Sequence, residues 1–176
     1  MFNKLKIHIH KIFTNKLLLV IFIPIFISGL VTFYFNAKLD MRASQREFIY
    51  NFDRTFFDNA KYRNISIAIE DSYLYNNRNI LEANGGEFTD YEIDDYLNLL
   101  QELYLYGEEG FLSYNLIENR FDYYVCITHH NKEIQGYLNR LVSEEGFVED
   151  DGAYSFLEEF AQKLGVADKK DCRVID

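Results

Sequence analysis

The residues of this chain with chemistry to offer are two histidine pairs, two cysteines and several acidic clusters. His8 and His10 stand two apart, and such positions do not face each other on a helix. Ile7-His8-Ile9-His10 therefore reads as part of a basic flank meeting lipid headgroups, not as a ligand pair. His129 and His130 are adjacent, so on a helix their imidazoles point about 100° apart and cannot chelate one ion unaided. Neither H-E-x-x-H nor C-x-x-C occurs, which leaves no familiar zinc pattern. Cys126 lies between Val125 and Ile127 in an apolar helical pattern and reads as a packed thiol. Cys172 falls in a polar C-terminal tail, and the two together imply no disulfide framework.

The acids divide into two groups. Glu149-Asp150-Asp151-Gly152 followed by Glu158 has some of the spacing of a calcium loop aligned on Gly152. The position that should hold its first Asp is Phe147, so a principal ligand is missing. Asp90, Glu92, Asp94 and Asp95 sit where a helix begins, and the macrodipole favours carboxylates there without any catalytic role. No G-x-S-x-G, phosphate-binding glycine loop or dinucleotide fingerprint occurs. These readings together predict a protein that is not an enzyme and needs neither metal nor cofactor.

Charge narrows the partners. Residues 1–46 hold seven basic side chains against Asp40 alone, a net of +6, while residues 47–176 hold 11 basic and 27 acidic groups, a net of −16. A domain that acidic repels phosphate backbones and excludes nucleic-acid binding; it suits cationic partners instead. The chain also carries 14 Tyr and 16 Phe without a Trp. Tyrosine buries a large ring while its hydroxyl seeks a partner, so it serves polar-rimmed contacts as well as cores. Tyr73, Tyr75, Tyr91 and Tyr106, in two tyrosine-dense stretches, form the candidate interaction surface.

The elements that must position these residues are helices. Leu17 to Phe35 is a run of 19 uncharged residues, about 28 Å as a helix and close to a bilayer's hydrocarbon thickness. It predicts one transmembrane helix, with no small-residue cleavage pattern after it. Lys4, Lys6, Lys11 and Lys16 outnumber Lys38, Arg42 and Arg46 across the span, which places the N-terminus in the cytoplasm and the domain outside. Phe48, Ile49, Phe52 and Phe56 continue the helix to about Asp58, and Tyr62, Ile65, Ile69 and Tyr73 line a second one. Thr89-Asp90-Tyr91-Glu92 is a capping box opening a stripe of Ile93, Tyr96, Leu97, Leu100, Leu103 and Tyr104. Ser113 starts a fourth helix with Ile117, Phe121, Tyr124, Val125 and Thr128 inward. It carries on through Ile134, Tyr137, Leu138 and Leu141, with a break at His129-His130-Asn131. Tyr154 to Leu164 forms the last, stopped by Gly165.

The fold class is thus all-α: a transmembrane helix followed by a small antiparallel helical bundle. The predicted segments are a basic flank at 1–16, the span at 17–35 and a juxtamembrane helix at 36–60. An acidic helical domain at 61–166 and a polar tail at 167–176 follow. The span, then Tyr62-Arg63-Asn64, Asp71-Ser72-Tyr73-Leu74-Tyr75, Asp94-Asp95-Tyr96-Leu97 and Phe121-Asp122-Tyr123-Tyr124, resembles an uncharacterised bacterial group. Its members are single-span membrane proteins with a small tyrosine-rich helical domain, and some related-looking proteins occur in phage-defence settings. The resemblance supplies no site residues. The expected function is a membrane-tethered, non-enzymatic module for protein interaction or self-association, whose partners are the lipid bilayer and a protein. The alternative is a membrane-associated effector in bacterial stress or phage defence.

Overall fold

A computed structural model describes residues 2–75, 78–144 and 155–173, with side chains from residue 24 onward except at 143 and 144. Among them are six α-helices and, apart from a single bridge between Leu81 and Phe88, no β structure. The helices are α1 (Phe2–Asp58), α2 (Ala60–Tyr75), α3 (Asp90–Glu108), α4 (Tyr114–His130), α5 (Lys132–Glu144) and α6 (Phe156–Lys163). The all-α architecture is as the hydrophobic periods predict. The chain divides into two compact units, Met1–Glu47 and Phe48–Asp176. The expected boundaries at 60 and 166 both fall inside the second unit, because residues on either side of each contribute to its core.

The first unit consists of α1 alone over its described length. The expected span 17–35 lies within α1, but the side chains of residues 17–23 fall outside the described ones. His8, His10 and the four N-terminal lysines fall outside them too. Among the described residues no helix is long and apolar enough to cross a membrane. The described part of the expected span is nonetheless uniformly exposed, with Ile25, Phe26, Phe33 and Phe35 each more than half accessible.

In the second unit α4 is central, packing against α2, α3, α5 and α6. Its stripe of Ile117, Phe121, Val125, Cys126 and Thr128 is fully buried. Phe52 and Phe56, from the last turns of α1, meet Phe121 edge-on with ring centroids 5.2 and 5.5 Å apart. Phe56 also lies 5.7 Å from Tyr96 of α3. α3 starts as its residues dictate. The Thr89 hydroxyl accepts from the Glu92 backbone N–H at 3.3 Å, and the Glu92 carboxylate accepts from the Thr89 N–H at 3.0 Å. Hydrogen bonding to the Thr89 backbone holds the Glu92 carboxyl below the usual range. α4 ends at His130, and Asn131 caps α5: its Oδ1 accepts from the N–H of Glu133 and of Ile134, at 2.9 and 3.1 Å. The break expected at His129-His130-Asn131 is therefore a buried cap. Ser113 occupies the expected N-cap position of α4 without a side-chain bond. Tyr154 lies outside the described residues, but Leu157, Phe160, Ala161 and Leu164 are buried, and Gly165 adopts a φ of 67°.

Several tyrosine hydroxyls find acidic partners. Tyr104 donates to Glu159 at 2.6 Å, Tyr114 to Glu108 at 2.7 Å and Tyr123 to Glu70 at 2.6 Å. Burial first, and the adjacent carboxylate second, push all three phenols well above their ordinary value. A folded-state pKa raised above the unfolded value makes a contribution that is complete below about pH 10 and is lost as pH rises through the folded value. The melting temperature should therefore fall above about pH 10. Tyr104→Phe with Tyr123→Phe should flatten that decline in a melting series against pH. A melting temperature that climbed across the same interval would contradict the arrangement.

Candidate functional site

Cys126 and His130 are four residues apart on α4 and so share one face of the helix. After α6, Gly165 turns the chain back: the N–H of Val166 donates to the Ala161 carbonyl at 2.8 Å, and that of Lys169 to the Val166 carbonyl at 3.2 Å. This returning segment buries Val166 and Cys172 against the helices. The Cys172 N–H donates to the Tyr73 hydroxyl at 3.4 Å. Cys126 and Cys172 are joined in a disulfide, S–S 2.09 Å and Cα–Cα 5.7 Å, across a sequence separation of 46.

Two expectations are corrected here. Cys126 is packed as expected but is not a thiol, and the two cysteines, read as implying no disulfide framework, are bonded to each other. The charged residues Asp168, Lys169, Lys170, Asp171 and Arg173 give that segment its polar composition, while the one cysteine among them turns inward. The i, i+4 spacing of Cys126 and His130 was the available sequence signal for this corner. A pattern confined to C-x-x-C passes over it.

A cleft of about 580 Å³ adjoins the disulfide corner, with Tyr73, Arg78, Asn84, His130, Lys132 and Glu133 in its walls. Glu133 shapes it, because its carboxylate accepts the backbone N–H of Ile80 at 2.7 Å and of Leu81 at 3.0 Å, and Asn84 Nδ2 at 2.7 Å. The loop between α2 and α3 is thereby clamped to the start of α5. Gly86 is needed in that loop, since a Cβ there would stand 2.4 Å from the Ile80 carbonyl. Arg78 bridges Asp71 at 3.1 Å and Glu87 at 2.9 Å.

The two adjacent imidazoles meet edge to face, with ring centroids 4.7 Å apart, but find different polar partners. His129 Nε2 meets the Glu158 carboxylate at 2.5 Å, and that bond, with a second from Gln162, holds the Glu158 carboxyl below its ordinary value. His129 Nδ1 is buried without a partner among the described residues. His130 Nε2 lies 3.3 Å from the Val166 carbonyl, which can only accept, so Nε2 carries the proton.

Of the four tyrosines expected to form an interaction surface, Tyr73 lines the cleft. Tyr106 is packed between Phe48 and Phe111, with centroids at 4.4 and 5.6 Å. Tyr75 and Tyr91 are exposed, and Lys61 stands over the Tyr91 ring at 5.3 Å. The helix-start acids are held by structural partners: Asp90 by Arg140 at 2.7 Å, Asp94 by the Tyr137 hydroxyl at 2.6 Å and Asp95 by Lys61 at 2.5 Å. Glu149 to Gly152, the core of the calcium-loop reading, lie outside the described residues.

Fold and site together define an all-α domain with one internal disulfide and an adjoining polar cleft. No protein-family profile matches the chain, nor does any curated protein or solved structure.

Proposed function

We propose that this chain is a membrane-tethered, non-enzymatic helical module that meets a protein partner, or a second copy of itself, through its acidic, tyrosine-bearing domain. The observation that carries the proposal is the exposed apolar band on α1, where Ile25, Phe26, Leu30, Phe33 and Phe35 are between 52 and 73% accessible. Covering one such side chain is worth about 1.5–3 kcal/mol, and a helix apolar all round belongs in protein or lipid interior, not in water. The uncharged run 17–35 has the length for a bilayer. A disulfide persists in oxidising surroundings, which supports the outward orientation of the domain read from the lysines of the N-terminal flank. The paired carboxylates at the start of α3 support a structural, not a catalytic, use of acids. Exposed Tyr75 and Tyr91 supply the aromatic contacts of a binding face.

Membranes from cells expressing the full chain test this directly. The protein should stay in the pellet after alkaline carbonate washing, and a C-terminal reporter active only in the cytoplasm should stay silent. Release by carbonate would remove the tether, and an active reporter would turn the domain inward. Crosslinking in those membranes should then capture a partner protein or a dimer of the chain.

A further inference from the structure

We propose that Cys126, Cys172 and His130 constitute a zinc site that the disulfide keeps closed and that reduction opens. One sulfur from each cysteine and one ring nitrogen of His130 lie within 4.8 Å of one another. Two of these donors are fixed on one face of α4 by their i, i+4 spacing. The third is delivered by the returning segment 165–172, whose backbone bonds tie it to α6 and to Tyr73. Two thiolates and an imidazole are the donor set of zinc, and a poor one for calcium or magnesium. Zinc needs its sulfurs at about 2.3 Å and its nitrogen at about 2.0–2.1 Å. Once the S–S bond is cut, the two sulfurs need only draw apart to tetrahedral separations, a movement of side chains between backbones already 5.7 Å apart at Cα.

The surroundings favour a bound cation. Cys126 is fully buried and Cys172 nearly so, so a pair of bare thiolates there would be costly without a neutralising charge. The Val166 carbonyl receives the Nε2 proton of His130 and leaves Nδ1 with its lone pair. A backbone carbonyl in that role is the usual outer-shell partner of a metal-binding histidine. Three protein donors leave one coordination position for water or an added ligand, which is the pattern of an exchangeable site and not of a closed structural one. Of the residues at this corner, His130 and Tyr73 stand in the wall of the cleft, and the two sulfurs are buried behind it.

The chemistry balances in two steps. A small dithiol gives two electrons and two protons to the disulfide, becoming a cyclic disulfide itself and leaving two protein thiols. Zinc(II) then binds both sulfurs and the neutral imidazole, releasing the two thiol protons. The site does not depend on the membrane reading, because every residue in it belongs to the second unit.

The test uses the full chain in detergent micelles, reduced with a phosphine that does not itself compete for the metal, and titrated with cobalt(II) as a spectroscopic probe. One cobalt per chain should bind, with thiolate-to-cobalt charge transfer and the intense visible bands of tetrahedral coordination, and zinc should displace it. Oxidised protein should give neither signal. His130→Ala should weaken binding at least about tenfold, as ligand loss exceeds the 10–100-fold cost of losing an outer-shell partner, and should change the visible bands. Cys172→Ala, beyond the last helix, should abolish charge transfer while keeping the helical circular dichroism. His129→Ala removes a ring packed edge-on against His130 but none of the three donors, and should keep the charge-transfer bands of the parent. Failure of reduced protein to develop the bands, equal binding by oxidised protein, or unaltered spectrum and affinity in His130→Ala would each overturn the proposal.

Discussion

Reducing the Cys126–Cys172 disulfide in the presence of a chelator should destabilise the domain by about 4 kcal/mol, the loop-closure value for a crosslink of this span. The two sulfurs are 46 positions apart and enclose α5 and α6, so the unfolded chain regains a long loop's freedom when the bond is cut. For a unit of this size that corresponds to a fall of about 12–20 °C in melting temperature. The loss should also have a local face. Without the crosslink the returning segment is held by a few backbone bonds, the buried Val166, the His130 bond to the Val166 carbonyl and the Tyr73 hydroxyl, and Cys172 would lose its tie to α4. Hydrogen exchange of residues 166–173 should accelerate before that of α3 or α4. A melting temperature indifferent to reduction would mean that the crosslink constrains nothing. Adding zinc to the reduced protein should restore part of the fall, since any ligand bound only by the folded state stabilises it in proportion to its saturation. Recovery that survives Cys172→Ala would place the stabilising metal elsewhere.

The helices were legible because each has a period that its neighbours do not blur. Ile93, Tyr96, Leu97, Leu100, Leu103 and Tyr104 repeat at three and four, and every one is buried. The Thr89–Glu92 box marks where that repeat begins, and Asp58 ends α1 where the Phe48, Ile49, Phe52, Phe56 stripe runs out. The disulfide corner was hidden for the opposite reason. It joins a regular helix to an irregular segment, and irregular segments carry no period. The polar surroundings of Cys172 are charged side chains, exposed or half-buried, and they conceal the one side chain that is buried among them. Glu133 was equally opaque: an acid at a helix start reads as a solvated charge, yet it clamps a loop some 50 residues away through backbone donors. Asn131 was legible as a break in a stripe but not as a cap, because its partners are set by the fold around Ile69 as well as by its own helix. Tyr73, Tyr75, Tyr91 and Tyr106 cluster in sequence, but two are packed or cleft-lining and two are exposed. Composition groups residues without regard to which way each one faces.

Replacing Phe121 by alanine should cost about 3–5 kcal/mol, the usual range for deleting a buried phenylalanine ring. The value should lie toward the upper end, because this ring has no exposed edge and its neighbours are themselves rings. Phe52 and Phe56 meet it nearly at right angles, with interplanar angles of 89° and 79°, and Phe57 stacks on it at 6.2 Å with an angle of 12°. Such pairs are worth about 0.5–1.5 kcal/mol beyond the area they cover, though the three share one ring and will not add. Rigid aromatic neighbours collapse poorly into a void, so most of the cavity should persist. The damage should be directional. Phe121 is the point at which the last turns of α1 lock into α4, so 48–58 should become sensitive to protease at Arg54 while the amides of α3 keep their protection from hydrogen exchange. Tyr75→Ala, removing a ring that is 67% accessible, should change stability by no more than about 0.5 kcal/mol. Urea unfolding of the full chain in detergent, followed by circular dichroism, measures both. A Phe121→Ala protein within about 1 kcal/mol of the parent, or one whose α3 amides exchange as readily as those of 48–58, would mean that the last turns of α1 are not locked to α4 through this ring.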